Sequence, residues 1–135
     1  MHAIQRFMTL VFKIHLLFIK LSMQVRKAST SDVDFILSSA VTLAFETEDK
    51  QLNTVVVRQG ILDCLNNVKV GCYYVAYSAN APEKLLGTLM LTYEVSVAMG
   101  GMIHWIQSVF VVQEARRMGV FRSLYNHVIT QAKLD

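Results

Sequence analysis

The stretch that decides the fold reads Val109-Phe-Val-Val-Gln-Glu-Ala-Arg-Arg-Met-Gly-Val-Phe-Arg-Ser-Leu124. Its first residues are β-branched and aromatic, which favours a strand, and its last residues open an amphipathic helix that runs on towards Asp135. A basic turn that ends at Gly119 lies between them. A helix that begins directly after such a turn leaves its first four N–H groups without partners, and its dipole adds positive charge there. The stretch therefore predicts a strand, an anion-binding turn and a helix.

The turn also resembles a known signature. Arg116-x-x-Gly119-x-Phe121 is similar to the acyl-CoA-binding signature of the GNAT N-acetyltransferases, Arg/Gln-x-x-Gly-x-Gly/Ala, with Phe in place of the last small residue. The longer strings Trp105-Ile-Gln-Ser-Val-Phe-Val and Gly119-Val-Phe-Arg-x-Leu-Tyr125 resemble a branch of small, mostly uncharacterised GNAT proteins that carry Phe at that place. The resemblance covers residues 23–135.

This resemblance implies where acetyl-CoA binds. In the family, backbone amides of the turn bind the pyrophosphate, and the preceding strand pairs with the pantetheine arm. We therefore expect Phe110 and Val112, with Val111 between them, to offer backbone groups to pantetheine. The pyrophosphate is expected beside Arg116, at Arg117, Met118, Gly119, Val120 and Phe121. The side chain of Phe121 must then point away from the phosphate.

The order of the predicted elements supports the same family. Strand patterns lie at residues 24–27, 72–77, 85–95 and 102–112, and helical patterns at 33–44, 53–67 and after Gly119. Ser29 to Asp32 and Asn53 supply N-cap chemistry for the first two of these helices. The second is expected to turn Val56, Gly60, Ile61, Cys64, Leu65 and Val68 inward.

The expected fold class is therefore α/β (α+β), with a mixed GNAT-like sheet in the order strand, two helices, three strands, helix. Family members normally continue with a further strand, a helix and a final hairpin, so the resemblance predicts a domain cut short at its C-terminal end. A bare edge on the strand 102–112 invites pairing, including pairing between two copies of the chain.

Residues 1–22 form an apolar, basic leader that we expect to lie outside the domain of residues 23–135. The leader carries Arg6, Lys13 and Lys20 and no acid, but its apolar run is short and interrupted for a spanning helix. An upstream extension is the first interpretation, and a mitochondrial targeting segment is the alternative. Neither interpretation predicts a membrane partner, and the expected location is the cytoplasm.

Composition narrows the classes of function. The chain has 135 residues and is 53% hydrophobic, which fits one globular domain. From Gln24 onward ten basic residues balance ten acidic ones, which argues against a nucleic-acid binder. Cys64 and Cys72 have the spacing of neither a metal site nor a disulfide scaffold, so we interpret them as reduced and buried, and we expect no metal.

Acetyl transfer to an amine requires an acceptor for the amine proton. The strand that carries the base in many family members has no acid here, so Glu94 on the preceding strand and His104 are the catalytic candidates. Their alternatives are a solvated carboxylate and an ordinary strand histidine. Trp105 is a candidate wall of the acceptor site, and Glu46 and Glu48 are candidate contacts of the acceptor amine. Core packing and a solvated helix end are their respective alternatives.

The resemblance therefore predicts an N-acetyltransferase that moves an acetyl group from acetyl-CoA to a primary amine, most simply that of a small molecule. The alternative is a truncated, non-catalytic remnant that binds CoA or a protein partner. A weaker alternative treats Arg116, Arg117 and Arg122 as a nucleic-acid patch.

Overall fold

The computed structural model describes residues 1–134, with the side chains of residues 16 and 18–21 excepted, so the predicted domain end at Asp135 lies outside the described residues. The elements, in chain order, are α1 (His2–Leu21), β1 (Met23–Lys27), α2 (Val33–Glu48), α3 (Thr54–Asn66), β2 (Gly71–Ser78), β3 (Ala81–Ser96), β4 (Gly101–Val111) and α4 (Val120–Ala132). A short 3₁₀ turn at Thr30–Asp32 precedes α2. A second one, at Gln113–Ala115, precedes the turn that leads into α4.

The four strands form one sheet in the order β1-β2-β3-β4. Tight turns join β2 to β3 and β3 to β4, and such turns impose antiparallel pairing. The pair β1–β2 is antiparallel as well. The predicted α/β class and element order are confirmed, and every pairing among the described strands is antiparallel where a mixed sheet was expected.

Each face of the sheet is covered by helices. On one face α4 buries a cluster with the sheet, whose members are Cys72, Ala76, Leu86, Leu89, Leu91, Ala115, Met118, Val120, Leu124 and Val128. On the other face α2 and α3 bury Val33, Ile36, Ile61, Cys64 and Tyr73. Burial raises the pKa of Tyr73 to about 12, because the phenolate loses its hydration there. Both cysteines are buried free thiols.

Local capping chemistry sets where the helices begin. Asp32 accepts a hydrogen bond from the backbone N–H of Ser29 (2.8 Å) and two from the Arg26 guanidinium (2.8 and 2.9 Å) just before α2. The Asn53 side chain accepts from the N–H groups of Val55 and Val56 at the start of α3. The Asn53 bonds satisfy donors that a helix start otherwise leaves free and confirm the predicted cap of α3, whereas the Asp32 carboxylate closes the short 3₁₀ turn that precedes α2.

The predicted inward stripe of α3 is partly wrong. Ile61 and Cys64 are buried as expected, but Val56 is 66% exposed and Val68 is 59% exposed, and Gly60 is exposed as well. Val57 packs against the core instead, because it lies four residues before Ile61 on the same side of the helix.

The leader forms the helix α1, and every side chain described in it is exposed. A single residue, Ser22, separates α1 from β1. Within residues 1–134 no helix is long and apolar enough to cross a membrane.

Candidate active site

The turn from Arg116 to Gly119 reverses the chain between β4 and α4. Arg117 and Gly119 both adopt left-handed backbone angles, with φ of 66° and 86°. The first hydrogen bond of α4 runs from the N–H of Ser123 to the carbonyl of Gly119 (3.0 Å). The N–H groups of the three residues between them therefore have no acceptor inside the helix and point out of its positive end.

A cavity of ≈ 570 Å³ lies in front of this helix end. Its lining residues are Met23, Val111, Ala115, Arg116, Arg117, Met118, Gly119, Val120, Phe121, Arg122 and Ser123. A Cβ built on Gly119 would meet nothing within 4 Å, so the backbone of the turn faces open space. An anion can therefore approach these N–H groups directly.

At Gly87 of β3, the end of β4 and the start of α4 lie close together. Gly87 pairs with Val111, and a Cβ on Gly87 would lie 2.8 Å from the Phe110 carbonyl oxygen and 2.8 Å from Cγ1 of Val120. Any larger residue would force β4 or α4 outward. The absence of a side chain at Gly87 thus lets the end of β4 and the start of α4 pack closely against β3.

Arg116 links the turn to α2, which lies on the opposite face of the sheet from α4. Its Nη2 lies 2.8 Å from Oε2 of Glu46, in the last turns of α2, and its Nε donates to the carbonyl of Val111 (3.0 Å). The guanidinium also lies 5.7 Å from the centre of the Phe110 ring. Arg116 therefore positions the turn and has its donors largely engaged by the protein.

Two other arginines supply the free positive charge of the cavity. Arg117 and Arg122 are exposed, and neither forms a salt bridge with any residue among 1–134. Together with the helix end they make the cavity favourable for a multiply charged anion such as a pyrophosphate. Within residues 1–134 no group of three His, Cys, Asp or Glu side chains could hold a metal ion.

The strand β4 carries a bulge before it reaches the cavity. Phe110 pairs with Thr88 and Gln107 pairs with Met90, so Ser108 and Val109 together lie opposite one residue of β3. Ser108 takes up the extra length with a left-handed φ of 49°. A bulge of this kind bends the strand and re-aims the side chains beyond it.

The two catalytic candidates lie on opposite faces of the sheet. His104 makes an edge contact with the ring of Tyr93 (4.9 Å), which packs on the α4 side. Glu94 follows Tyr93 in β3 and therefore points to the side of α2 and α3. There its carboxylate accepts a hydrogen bond of 2.6 Å from Nε1 of Trp105. Neither candidate is among the residues that line the cavity.

Solved structures share this fold. A predicted acetyltransferase from Clostridium acetobutylicum, determined with acetyl-CoA, superposes with a TM-score of 0.66 at 16% identity over 82% of this chain and 73% of that chain. A GCN5-related N-acetyltransferase from Ralstonia eutropha JMP134 superposes with a TM-score of 0.65 at 15% identity, over 81% and 74% of the two chains. At these identities the likeness concerns the fold.

A third structure is similar in sequence as well. A possible acetyltransferase from Clostridium difficile 630 superposes with a TM-score of 0.76 and is 34% identical over 84% of this chain and 72% of that chain. The chain belongs to the GNAT acetyltransferases. No protein-family model matches the sequence, and no curated protein matches it either.

The turn of this GNAT chain gathers most of the residues predicted from the signature. Val111 and the six residues from Arg116 to Phe121 all line the cavity. Phe121 is half-exposed, and its ring lies against Tyr125 one helical turn later (5.9 Å).

Phe110 and Val112 do not face the free edge of β4. The N–H of Val112 donates to the carbonyl of Leu86 (3.0 Å) and its carbonyl accepts from Ala115 (2.9 Å). Because hydrogen-bonded and non-bonded pairs alternate in an antiparallel ladder, Phe110 also points its backbone groups to β3. Val111, between them, turns its N–H outward, while its carbonyl accepts from Nε of Arg116, so Val111 is the one of these three residues whose backbone faces the free edge.

Two features of the site were not predicted, the ion pair of Glu46 with Arg116 and the bulge at Ser108. Glu46 was expected at the acceptor or in solvent and instead pairs with Arg116, while Glu48 pairs with Lys50 in solvent. Trp105 is half-exposed instead of core. No pattern in the neighbouring sequence indicates the bulge at Ser108 or the ion pair. Both depend on which distant residues the sheet register brings together.

Proposed function

We propose that this GNAT chain transfers an acetyl group from acetyl-CoA to a primary amine, most simply that of a small molecule. The observation that carries the proposal is the cavity at the start of α4, where free N–H groups, Arg117 and Arg122 face open space beside the outward backbone of Val111. These groups fit a pyrophosphate followed by an amide-containing arm.

The bound thioester supplies an activated acetyl carbon. The neutral amine nitrogen attacks that carbon, the C–S bond breaks so that CoA leaves as its thiolate, and the proton that the amine gives up ends on that sulfur by way of water, so the protein must hold the amine and accept its proton. We assign this task to Glu94 in preference to His104. Glu94 is an exposed carboxylate on the face that α2 shares, where it attracts an ammonium group and takes up the proton directly or through water.

The Trp105 indole supports this assignment. Its N–H donates to Glu94 (2.6 Å), which orients the carboxylate and leaves its other oxygen available. Half of the Trp105 side chain is exposed beside it, and an exposed aromatic face next to a carboxylate suits an ammonium ligand.

The free thiols Cys64 and Cys72 suit a reducing compartment, and we propose the cytoplasm.

Calorimetric titration of the full chain with CoA and acetyl-CoA tests the cofactor. We expect saturable binding that Gly119→Asp abolishes, because the new carboxylate repels the pyrophosphate. Gly100→Asp is the matched control, since Gly100 lies in the β3–β4 turn, has a positive φ like Gly119, and a Cβ there meets nothing within 4 Å. A folded chain without affinity for either ligand contradicts the proposal.

Release of CoA thiol with a panel of primary amines tests the reaction. We expect Glu94→Gln to lower kcat while the affinity for acetyl-CoA stays unchanged, and His104→Gln to have the smaller effect. Binding without turnover of any amine supports the second candidate, a remnant that binds CoA only.

A further inference from the structure

The helix α1 exposes an unusually apolar surface for a segment outside the core. Every side chain described between His2 and His15 is exposed. The large apolar ones among them, each at least 47% exposed, are Ile4, Phe7, Met8, Leu10, Val11, Phe12 and Ile14. No described side chain of the sheet or of the other helices shields them, so α1 presents this surface to its surroundings.

The polar residues of α1 are gathered in one stripe. At 3.6 residues per turn, they fall within a sector roughly 100° wide, and they line one shallow groove together. The members of the stripe are His2, Gln5, Arg6, Thr9 and Lys13. Among residues 2–15, the other side chains of α1 are apolar apart from His15. Such segregation is typical of a helix at the boundary between water and a nonpolar medium.

The charge of the stripe has one sign. Arg6 and Lys13 lie about two turns apart on the same side, and the chain contains no acidic residue before Asp32. A protein surface that paired with α1 would have to supply both an apolar groove and acids beside it. An anionic lipid bilayer supplies an apolar layer with negative charge at its boundary.

The position of Lys13 decides how α1 meets a bilayer. Helix α1 has 20 residues, which is about the length that spans the hydrocarbon core. A transmembrane orientation would put Lys13 near the middle of that core, where a charged side chain is strongly disfavoured. With the helix lying parallel to the surface, Arg6 and Lys13 both reach the headgroups.

We propose that α1 lies in the surface of an anionic lipid bilayer, with its apolar side among the acyl chains and with Arg6 and Lys13 at the headgroups. This proposal departs from the expectation, drawn from the sequence, that no membrane is a partner. This inference is independent of the acetyltransferase activity.

Co-sedimentation of the full chain with vesicles tests the proposal. We expect binding to phosphatidylcholine vesicles that contain 30% phosphatidylglycerol, and much weaker binding to pure phosphatidylcholine. The double variant Arg6→Gln/Lys13→Gln should bind about 25-fold more weakly, at about fivefold per basic residue. The matched control Lys69→Gln/Lys84→Gln removes two exposed lysines of the body and should bind like the wild type.

Two further measurements test whether the apolar side chains of α1 enter the bilayer and how deep the helix lies in it. Phe7→Ser/Phe12→Ser should abolish vesicle binding, whereas Val97→Ser, at an exposed valine of the β3–β4 turn, should not change it. Quenching of Phe12→Trp fluorescence by brominated lipids should be strongest for bromines near the headgroups.

Three results overturn the proposal. They are the absence of binding to anionic vesicles, quenching that is strongest for bromines at the bilayer centre, and self-association through Phe7 and Phe12 in place of vesicle binding. The last would mean that a second copy of the chain covers α1.

Discussion

Arg116 and Glu46 are 70 residues apart in sequence, yet their side chains form an ion pair with contacts of 2.8 and 3.2 Å. The same guanidinium holds the carbonyl of Val111, at the end of β4. The Arg116 side chain thus connects the turn before α4 to the end of α2 and to the end of β4.

The first prediction concerns this pair. Glu46→Gln should weaken CoA binding by about two- to fivefold, within the ~1 kcal/mol that a half-exposed ion pair contributes. The loss follows because Arg116 then holds the turn from one side only. Titration calorimetry measures the affinity. Glu48→Gln, which removes a solvent-exposed pair with Lys50, is the control, and equal losses in the two variants would contradict the positioning role of Glu46.

The second prediction concerns Gly87. Gly87→Val should destabilise the fold by about 1–3 kcal/mol, the usual cost of overpacking. The cause is that even a Cβ would lie 2.8 Å from both the Phe110 carbonyl and the Val120 side chain. Urea denaturation measures the change. Gly101→Val, at a site with open space, should cost much less, and a Gly87→Val variant of wild-type stability would refute this account of the contact.

The third prediction separates backbone strain from ligand contact at Gly119. Gly119→Ala and Gly100→Ala both place alanine at a positive φ, 86° and 65°, so each should cost about 1 kcal/mol of stability. Only Gly119 lines the cavity. Gly119→Ala should therefore also weaken CoA binding at least tenfold, about 1.4 kcal/mol, while Gly100→Ala should bind normally. Similar binding by both variants would place the ligand elsewhere.

The fourth prediction concerns acid stability. The Arg26 guanidinium, which forms two hydrogen bonds with Asp32, lowers the pKa of that carboxyl, and the Ser29 N–H contributes in the same direction. A lowered folded-state pKa means that the ionised carboxylate stabilises the fold above the ordinary Asp value of about 3.9. This contribution is lost as the pH falls below that value towards the folded-state pKa.

Asp32→Asn should therefore destabilise the protein by about 2 kcal/mol at neutral pH. The difference from the wild type should shrink as the pH falls below about 4. Denaturation at a series of pH values measures both effects. Asp34→Asn, which removes an exposed pair with Arg58, should show neither, and a difference that stays constant with pH would exclude the carboxylate as its source.

Local patterns in the sequence were sufficient for the order of the elements and for the strand, turn and helix around Gly119. Helix starts are predictable at Asn53 and at Ser29 to Asp32 because these side chains form hydrogen bonds to neighbouring residues. The turn is predictable at Gly119 because glycine tolerates a positive φ. Each of these features depends on residues a few positions apart, so a linear sequence contains the whole signal.

Features that depend on register could not be predicted in this way. The choice of Val57 over Val56 as the inward residue of α3 follows from packing against the sheet, since three consecutive valines offer three faces. Likewise, whether Val111 or its neighbours face the free edge follows from the pairing with β3. A shift of one residue reverses every such orientation.

The position of β1 has a kinetic consequence for the cavity. Strands β2, β3 and β4 are joined by tight turns, whereas β1 pairs with β2 across roughly 50 residues of intervening chain, whose closure is entropically costly. Met23, the first residue of β1, lines the cavity. We therefore expect β1 to dock last during folding and to open first in amide hydrogen exchange, so that a ligand which contacts Met23 slows the exchange of the whole strand.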